Sequence, residues 1–227
     1  MMELATPYQN AEATKERSVL HIAAPRISER WTYLAVKRAF DISFALIGLI
    51  VLAIPMAIIA IIIVCDSPGR PIYSQERLGK NGKPFMIYKF RSMILDAEKN
   101  GPRWADKKDL RCTRFGAFLR KTRLDELPQL WNILKGDMSF VGPRPEREYF
   151  YNEFEKYIEG FSNRLAVTPG LTGHAQVNGG YDLLPEEKII YDMEYIEKRS
   201  IRMDMLCIFR YHTYIRILRG NDNIKVK

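Results

Sequence analysis

The chain has 227 residues, 47% of them hydrophobic, with three cysteines and a formal net charge of +8. That length leaves room for one ordinary domain with appendages. Cys65, Cys112 and Cys207, odd in number and without a CxxC pair, argue against a disulfide scaffold or a zinc site and fit a reducing compartment, while the cationic excess favours anionic partners such as lipid headgroups, nucleic acid or phosphorylated small molecules.

Residues 1–30 mix polar and small side chains without periodicity and read as a flexible tail. Ile42 to Val64 are 23 positions without a charge. A signal peptide is not indicated, because its apolar stretch would lie nearer the start and be shorter than this one. As a helix these residues measure about 34 Å, enough for a hydrocarbon core of roughly 30 Å. Pro55 stands near the middle, where it removes a backbone hydrogen bond and kinks a helix. The flanks are balanced: Arg26, Arg30, Lys37 and Arg38 upstream face Arg70, Arg77, Lys80 and Lys83 downstream. The positive-inside rule therefore gives no direction, and a crossing helix and a hairpin that dips into one leaflet both fit.

Ser67-Pro68-Gly69-Arg70-Pro71 is a turn. Two short strands are expected at 72–75 and 85–90, around Gly79-Lys80-Asn81-Gly82. Asn100-Gly101-Pro102 breaks the chain. Helices are expected over about 115–121 and 125–134, the second closed by Gly136-Asp137, then a turn at Gly142-Pro143-Arg144-Pro145 and a polar helix through Tyr157. Residues 168–180, with four glycines and a proline, read as a loop. Two helices close the chain, at about 185–199 and 203–219. The last alternates Leu206, Ile208 and Phe209 with Arg202, Arg210, Arg216 and Arg219, a pattern of surface-lying membrane helices and equally of packed helices with a basic face.

The chemistry concentrates at Leu124-Asp125-Glu126-Leu127-Pro128-Gln129. Locally, Asp125 is a favoured N-cap and Glu126 a first-turn acid that suits the helix dipole. The surroundings add a second meaning. Seven basic residues (Lys107, Lys108, Arg111, Arg114, Arg120, Lys121, Arg123) precede the pair against one acid, Asp109, and Arg144 comes after it, mounted between Pro143 and Pro145. Cations keep a carboxylate ionised, and an ionised carboxylate acts as a nucleophile or holds Mg²⁺ beside a diphosphate.

These residues resemble a known family, the bacterial monotopic phosphoglycosyl transferases (polyprenyl-phosphate sugar-1-phosphate transferases). The resemblance runs from Lys37 to Gly220 on Lys37-Arg38-Ala39-Phe40-Asp41, Lys89-Phe90-Arg91-Ser92-Met93, the stretch from Leu119 to Leu130, Leu134-Lys135-Gly136-Asp137-Met138-Ser139, Val141-Gly142-Pro143-Arg144-Pro145-Glu146 and Pro169-Gly170-Leu171-Thr172-Gly173. Singly each motif is weak; their order and spacing are specific. The resemblance implies that Asp125 attacks the β-phosphate of a UDP-sugar and releases UMP, holding the sugar phosphate covalently until a polyprenyl phosphate, undecaprenyl phosphate, takes it in a ping-pong second step. It further implies Mg²⁺ held by Glu126 with Asp125, phosphate binding by Arg144 within Pro143-Arg144-Pro145 and by Arg120, and a re-entrant helix broken at Pro55. The expected fold is α+β and mostly helical: a membrane hairpin over 31–66, a short β-hairpin, and a catalytic domain over 67–227 with interfacial C-terminal helices, on the cytosolic face of the bacterial inner membrane. Partners would be the UDP-sugar, the polyprenyl phosphate and membrane lipids, with no nucleic acid; a homo-oligomer is compatible, and the product would initiate exopolysaccharide, capsule, O-antigen or glycoprotein glycan assembly. Where related sequences often read Gly-Trp-Ala-Gln, this chain has Gly173-His174-Ala175-Gln176; the lone loop histidine is read as solvated or hydrogen-bonded, not as a general base. A membrane-anchored hydrolase of nucleotide-sugars or lipid phosphates and a non-catalytic basic adaptor are the rival classes, separable by acceptor dependence and by mutation of Asp125.

Overall fold

A computed structural model describes residues 19–27, 30–95, 97, 110–179 and 183–220. The first part of the expected tail, the break at Asn100-Gly101-Pro102, Lys107 and Lys108 lie outside these residues, as do the side chains of Arg216 and Arg219 in the last helix. The architecture is α+β and mostly helical, with three two-stranded sheets among the described residues.

After a two-residue strand, β1 (Leu20–His21), the apolar stretch folds within two helices, α1 (Trp31–Val51) and α2 (Ala53–Asp66), which meet at Leu52 with a bend of 61°. Pro55 places the break. It has no N–H for the Val51 carbonyl and its ring crowds that carbonyl, so one continuous helix cannot pass. In the first turn of a new helix the same N–H is not needed. No single helix among the described residues is long and apolar enough to cross a bilayer; by length and composition the bent pair is.

Both limbs lean on the rest of the chain. α1 packs Ala45 and Leu49 against Leu130, Ile133 and Met138, while α2 packs Ile59 and Ile63 against Phe90 and Leu119. Polar ties fix the ends. Lys37 Nζ lies 2.9 Å from Asp204, Arg38 donates to the Ile133 and Leu134 carbonyls at 2.7 and 2.8 Å, and Asp41 accepts from Ser139 Oγ and Phe140 N at 3.1 and 3.0 Å. At the other end Arg91 donates to the carbonyls of Ser67 and Pro68, closing the C-terminus of α2. Charge-assisted bonds of this kind contribute about 1.5–3 kcal/mol each. The Lys37–Asp41 and Lys89–Met93 motifs thus share a structural duty, holding a bent apolar pair onto one body.

The antiparallel hairpin β2 (Ile72–Leu78) and β3 (Pro84–Phe90) pairs Ile72 with Phe90 and Leu78 with Pro84, turning through Lys80–Gly82. It extends the expected strands by three residues and one. α3 (Arg114–Thr122) is capped by Thr113, whose hydroxyl accepts from Gly116 N at 2.9 Å. A 3₁₀ turn (Leu124–Glu126), α4 (Gln129–Lys135), β4 (Ser139–Val141), α5 (Glu148–Glu155), β5 (Ile158–Glu159), a 3₁₀ helix (Phe161–Ala166), β6 (Gly170–Thr172), α6 (His174–Asn178), α7 (Pro185–Lys198) and α8 (Ile201–Gly220) complete the order.

Two expectations are corrected. The helix expected from Asp125 begins only at Gln129. Arg123 adopts a left-handed conformation (φ 62°) that ends α3, the next three residues form a 3₁₀ turn, and Pro128 supplies no amide to carry that turn into a regular ladder. Asp125 therefore does not cap α4, whose N-cap is Pro128. The loop expected at 168–180 contains β6, parallel to β4, and α6. Its glycines serve close approach instead of flexibility: a Cβ on Gly170 would sit 2.1 Å from Gly142 N, and one on Gly173 2.1 Å from Gly142 O.

Candidate active site

The 3₁₀ turn brings Asp125 and Glu126 to a buried point between α3 and β3, at 8% and 3% exposure. Arg123, strained in the left-handed region, is the hinge that turns the chain inward there. Opposite stands Arg144, in the turn that leaves β4. That turn is held from four sides. Gly142 N donates to Thr172 O and Gly170 N to Pro143 O, both at 2.9 Å; Arg164 donates to Arg144 O at 3.0 Å and Arg77 to Pro145 O at 3.3 Å. Pro143 and Pro145 fix φ on either side. Arg144 reaches Glu126 Oε1 in a direct hydrogen bond, and Arg123 and Lys89 lie 3.8 and 3.9 Å from the same oxygen.

Supporting this turn is a buried charge network. Glu146 bridges Arg77 at 3.1 Å and Lys188 at 3.0 Å, and the fully buried Arg164 pairs with Asp192 at 2.6 Å while packing on the Phe161 ring. Burial would raise the Glu146 carboxyl, but Lys188 and Arg77 outweigh it and hold it down at about 2.

The two neighbouring carboxylates are driven apart. Burial pushes Asp125 up, and the charge of Glu126 adds to it. For Glu126 burial acts upward as well, yet Arg144, Lys89 and Arg123 overcome it and keep the group well below the usual carboxylate range. Burial, then Arg144, pull the Lys89 ammonium down to about 8. The arrangement thus gives one permanently ionised carboxylate clamped by cations, and one whose charge is less settled and correspondingly more reactive.

Asp125 Oδ1, Glu126 Oε2 and both amide atoms of Gln129 are buried without a hydrogen-bond partner. Hard oxygens left open on successive residues are of the kind Mg²⁺ takes, and two carboxylates with bound waters suit it. Asp125 and Glu126 therefore fit the expected ion. Among the described residues no cluster of three or more His, Cys, Asp or Glu forms a metal site made of protein alone.

The expected basic run disperses. Arg123 faces the dyad, Arg120 donates to Cys112 Sγ at 2.9 Å, and Arg111 donates to Ala97 O at 3.1 Å. His174 is buried at the start of α6, 3.2 Å from Glu194 and beside Asn178, in keeping with the hydrogen-bonded reading. Sequence reasoning gave Lys89 no role; the signal was its place in the Lys89-Phe90-Arg91 motif on a strand, where alternation puts Phe90 in the core and Lys89 on the dyad's side.

A profile described as "Bacterial sugar transferase" matches residues 32–219, most of the chain. The chain belongs to that family, the bacterial polyprenyl-phosphate phosphoglycosyl transferases. Among the relatives, it is 55% identical over 159 residues to the putative undecaprenyl-phosphate N-acetylgalactosaminyl 1-phosphate transferase of Bacillus subtilis (strain 168), covering 69% of this chain and 88% of that protein. It is 41% identical over 191 residues to the UDP-N-acetylgalactosamine-undecaprenyl-phosphate N-acetylgalactosaminephosphotransferase of Aeromonas hydrophila, covering 83% and 45%. It is 40% identical over 179 residues to the UDP-glucose:undecaprenyl-phosphate glucose-1-phosphate transferase of Escherichia coli (strain K12), covering 77% and 39%. The transferase chain thus spans most of the first relative and less than half of the other two.

Were Asp125 the nucleophile, kcat/KM would fall with decreasing pH as that group takes up a proton, from a value that burial and Glu126 raise in the metal-free protein. In Lys89→Met, which removes a cation that favours the charged form, the acid limb should move to higher pH. A pH profile of UMP release for both proteins checks this; an acid limb that Lys89→Met leaves in place would remove Asp125 as its source.

Proposed function

We propose that this transferase moves a sugar 1-phosphate from a UDP-sugar to undecaprenyl phosphate, releasing UMP, in two steps through Asp125. The observation that carries the reading is the buried dyad under Arg144, in a chain of this family. In the first step an Asp125 carboxylate oxygen bonds to the β-phosphorus and the bond to the bridging oxygen breaks, so UMP departs with the electron pair. In the second an oxygen of the polyprenyl phosphate attacks the same phosphorus and the Asp125 oxygen leaves as carboxylate, yielding the sugar diphosphate lipid. Arg144 and Lys89 offset the negative charge that gathers on the phosphoryl oxygens. Glu126, fixed by Arg144, Arg123 and Lys89, holds its place through both steps. Bound Mg²⁺, held by Glu126 and Asp125, would supply neutralisation of the diphosphate.

The bent pair is proposed as a re-entrant hairpin in the bacterial inner membrane, with the domain over 67–227 on the cytosolic face. Its two ends are tied to the same body, through Lys37, Arg38 and Asp41 at one end and through Arg91 at the other. Outward-facing apolar side chains (Phe44, Ile47, Ile50, Ile54, Ile58, Ile61) give it a lipid-compatible surface, continued on the body by Phe118 and Trp131. With Cys65 and Cys112 changed to serine, Trp31→Cys and Arg70→Cys should both react with a membrane-impermeant maleimide in inside-out vesicles and neither in right-side-out ones. Labelling of the two from opposite sides would mean a crossing.

The test of function uses the protein in nanodiscs with Mg²⁺, undecaprenyl phosphate and a panel of UDP-sugars. UMP release that requires the lipid acceptor for net turnover is expected with one donor. UMP formed at the same rate without acceptor would assign a hydrolase instead.

A further inference from the structure

The side chain of Gln129 is wholly buried, and neither its amide oxygen nor its amide nitrogen makes a hydrogen bond. Burying an amide without partners is costly, so such a group points to something that satisfies it in the working protein. Its direction comes from the backbone. Leu127 N bonds to Leu124 O, Leu130 N to Leu127 O and Trp131 N to Pro128 O, so the 3₁₀ turn runs into the first turn of α4 through bonds three residues apart, and in either kind of helix side chains three apart are neighbours on one face. Glu126, Gln129 and Asn132 therefore stack on one face. That face looks at β3: Asn132 accepts from Tyr88 N at 3.1 Å and donates to Met86 O at 2.7 Å, and Glu126 lies 3.9 Å from Lys89. Gln129 sits between them. A helical side chain also leans toward the turn preceding it, here the turn that carries Asp125 Oδ1 and Glu126 Oε2, the two carboxylate oxygens left open.

We infer that Gln129 is the third arm of the dyad's site, with its amide oxygen turned to a divalent cation, directly or through one of the cation's waters, and its amide N–H to an oxygen of the phosphate the cation accompanies. Two carboxylate oxygens and one amide oxygen on a single turn leave three positions of an octahedral ion for water and phosphate. The inference rests on the transferase reading above and deepens it: the site recognises a phosphate together with its metal, as one unit.

Mn²⁺ binding, followed by electron paramagnetic resonance on the whole protein with and without inorganic phosphate, and Tm in metal-free buffer test this without any turnover. Gln129→Leu should melt at or above the wild-type temperature, since it deletes two unsatisfied polar atoms, yet bind Mn²⁺ at least tenfold more weakly. Gln129→Glu, which keeps an oxygen at the same reach, should retain Mn²⁺. A Leu variant that binds Mn²⁺ like wild type overturns the assignment, whatever its Tm, as does a wild type that binds none. Where the Leu variant loses stability and metal together, retention by Gln129→Glu upholds the assignment and its loss overturns it. Failure of the transferase reading looks different: Mn²⁺ bound normally, with no UMP released from any donor.

Discussion

Asp125→Asn should abolish UMP release, with a loss of at least 10³-fold, while leaving the fold intact. The substitution keeps size and one acceptor oxygen, and Asp125 Oδ1 has no hydrogen bond to lose. What disappears is the anionic oxygen that the proposed first step joins to phosphorus. Because burial and Glu126 raise the Asp125 value, its neutral replacement should not destabilise the unliganded protein, and Tm should hold or rise. Radiolabelled sugar phosphate should remain on the wild type when acceptor is withheld and be absent from Asp125→Asn. UMP release that survives the mutation would move the nucleophile elsewhere. Glu126→Gln has a different profile: it leaves Arg144, Arg123 and Lys89 facing a neutral group, so loss of stability should accompany loss of rate.

The second large effect lies away from the chemistry. Arg164→Met should cost about 3–5 kcal/mol, because it strands Asp192 at 1% exposure without its partner. For a chain of this size that is a Tm lower by roughly 6–20 °C. The same change frees the Arg144 carbonyl, so activity should fall further than the folded fraction explains. Arg164→Met with Asp192→Leu should recover most of the stability, since apolar replacement of a buried pair is often neutral. It should not recover the rate. A double variant as unstable as the single one would show that the pair is not the source of the loss.

Where sequence and structure agree, the signals were local. The hairpin over 72–90 announces itself by a glycine-bounded turn between two short strands, and the helix expected over about 115–121 is α3, which the Thr113 cap starts one residue earlier. Pro55 marked the place where the apolar stretch breaks to within three residues. The start of the helix after the dyad was misplaced because Asp-Glu-x-Pro favours an N-cap, and nothing local reveals that Arg123 would take a left-handed conformation. In the site, Asp125, Glu126 and Arg144 were readable from charge and proline placement. Lys89 was not, because it reaches the dyad from a strand 37 positions away, fixed by the hairpin's docking on the 3₁₀ turn. Arg164 and Asp192, 28 residues apart, look in sequence like ordinary surface charges. The glycines of 168–180 carry opposite meanings in a loop and in close-packed strands, and only the partner at Gly142 decides between them.

The way α1 and α2 are attached has a consequence for how a lipid-borne reactant is met. The dyad rides on a turn flanked by α3, which rests on α2, and α4, which rests on α1. With both limbs clamped to that platform, a bilayer that took up the proposed hairpin would meet the molecule at a fixed waterline. The elevation of Asp125 above the acyl chains would then be a built-in dimension of the protein, and an acceptor phosphate confined to the headgroup plane would need only lateral diffusion to arrive at the proposed reacting height.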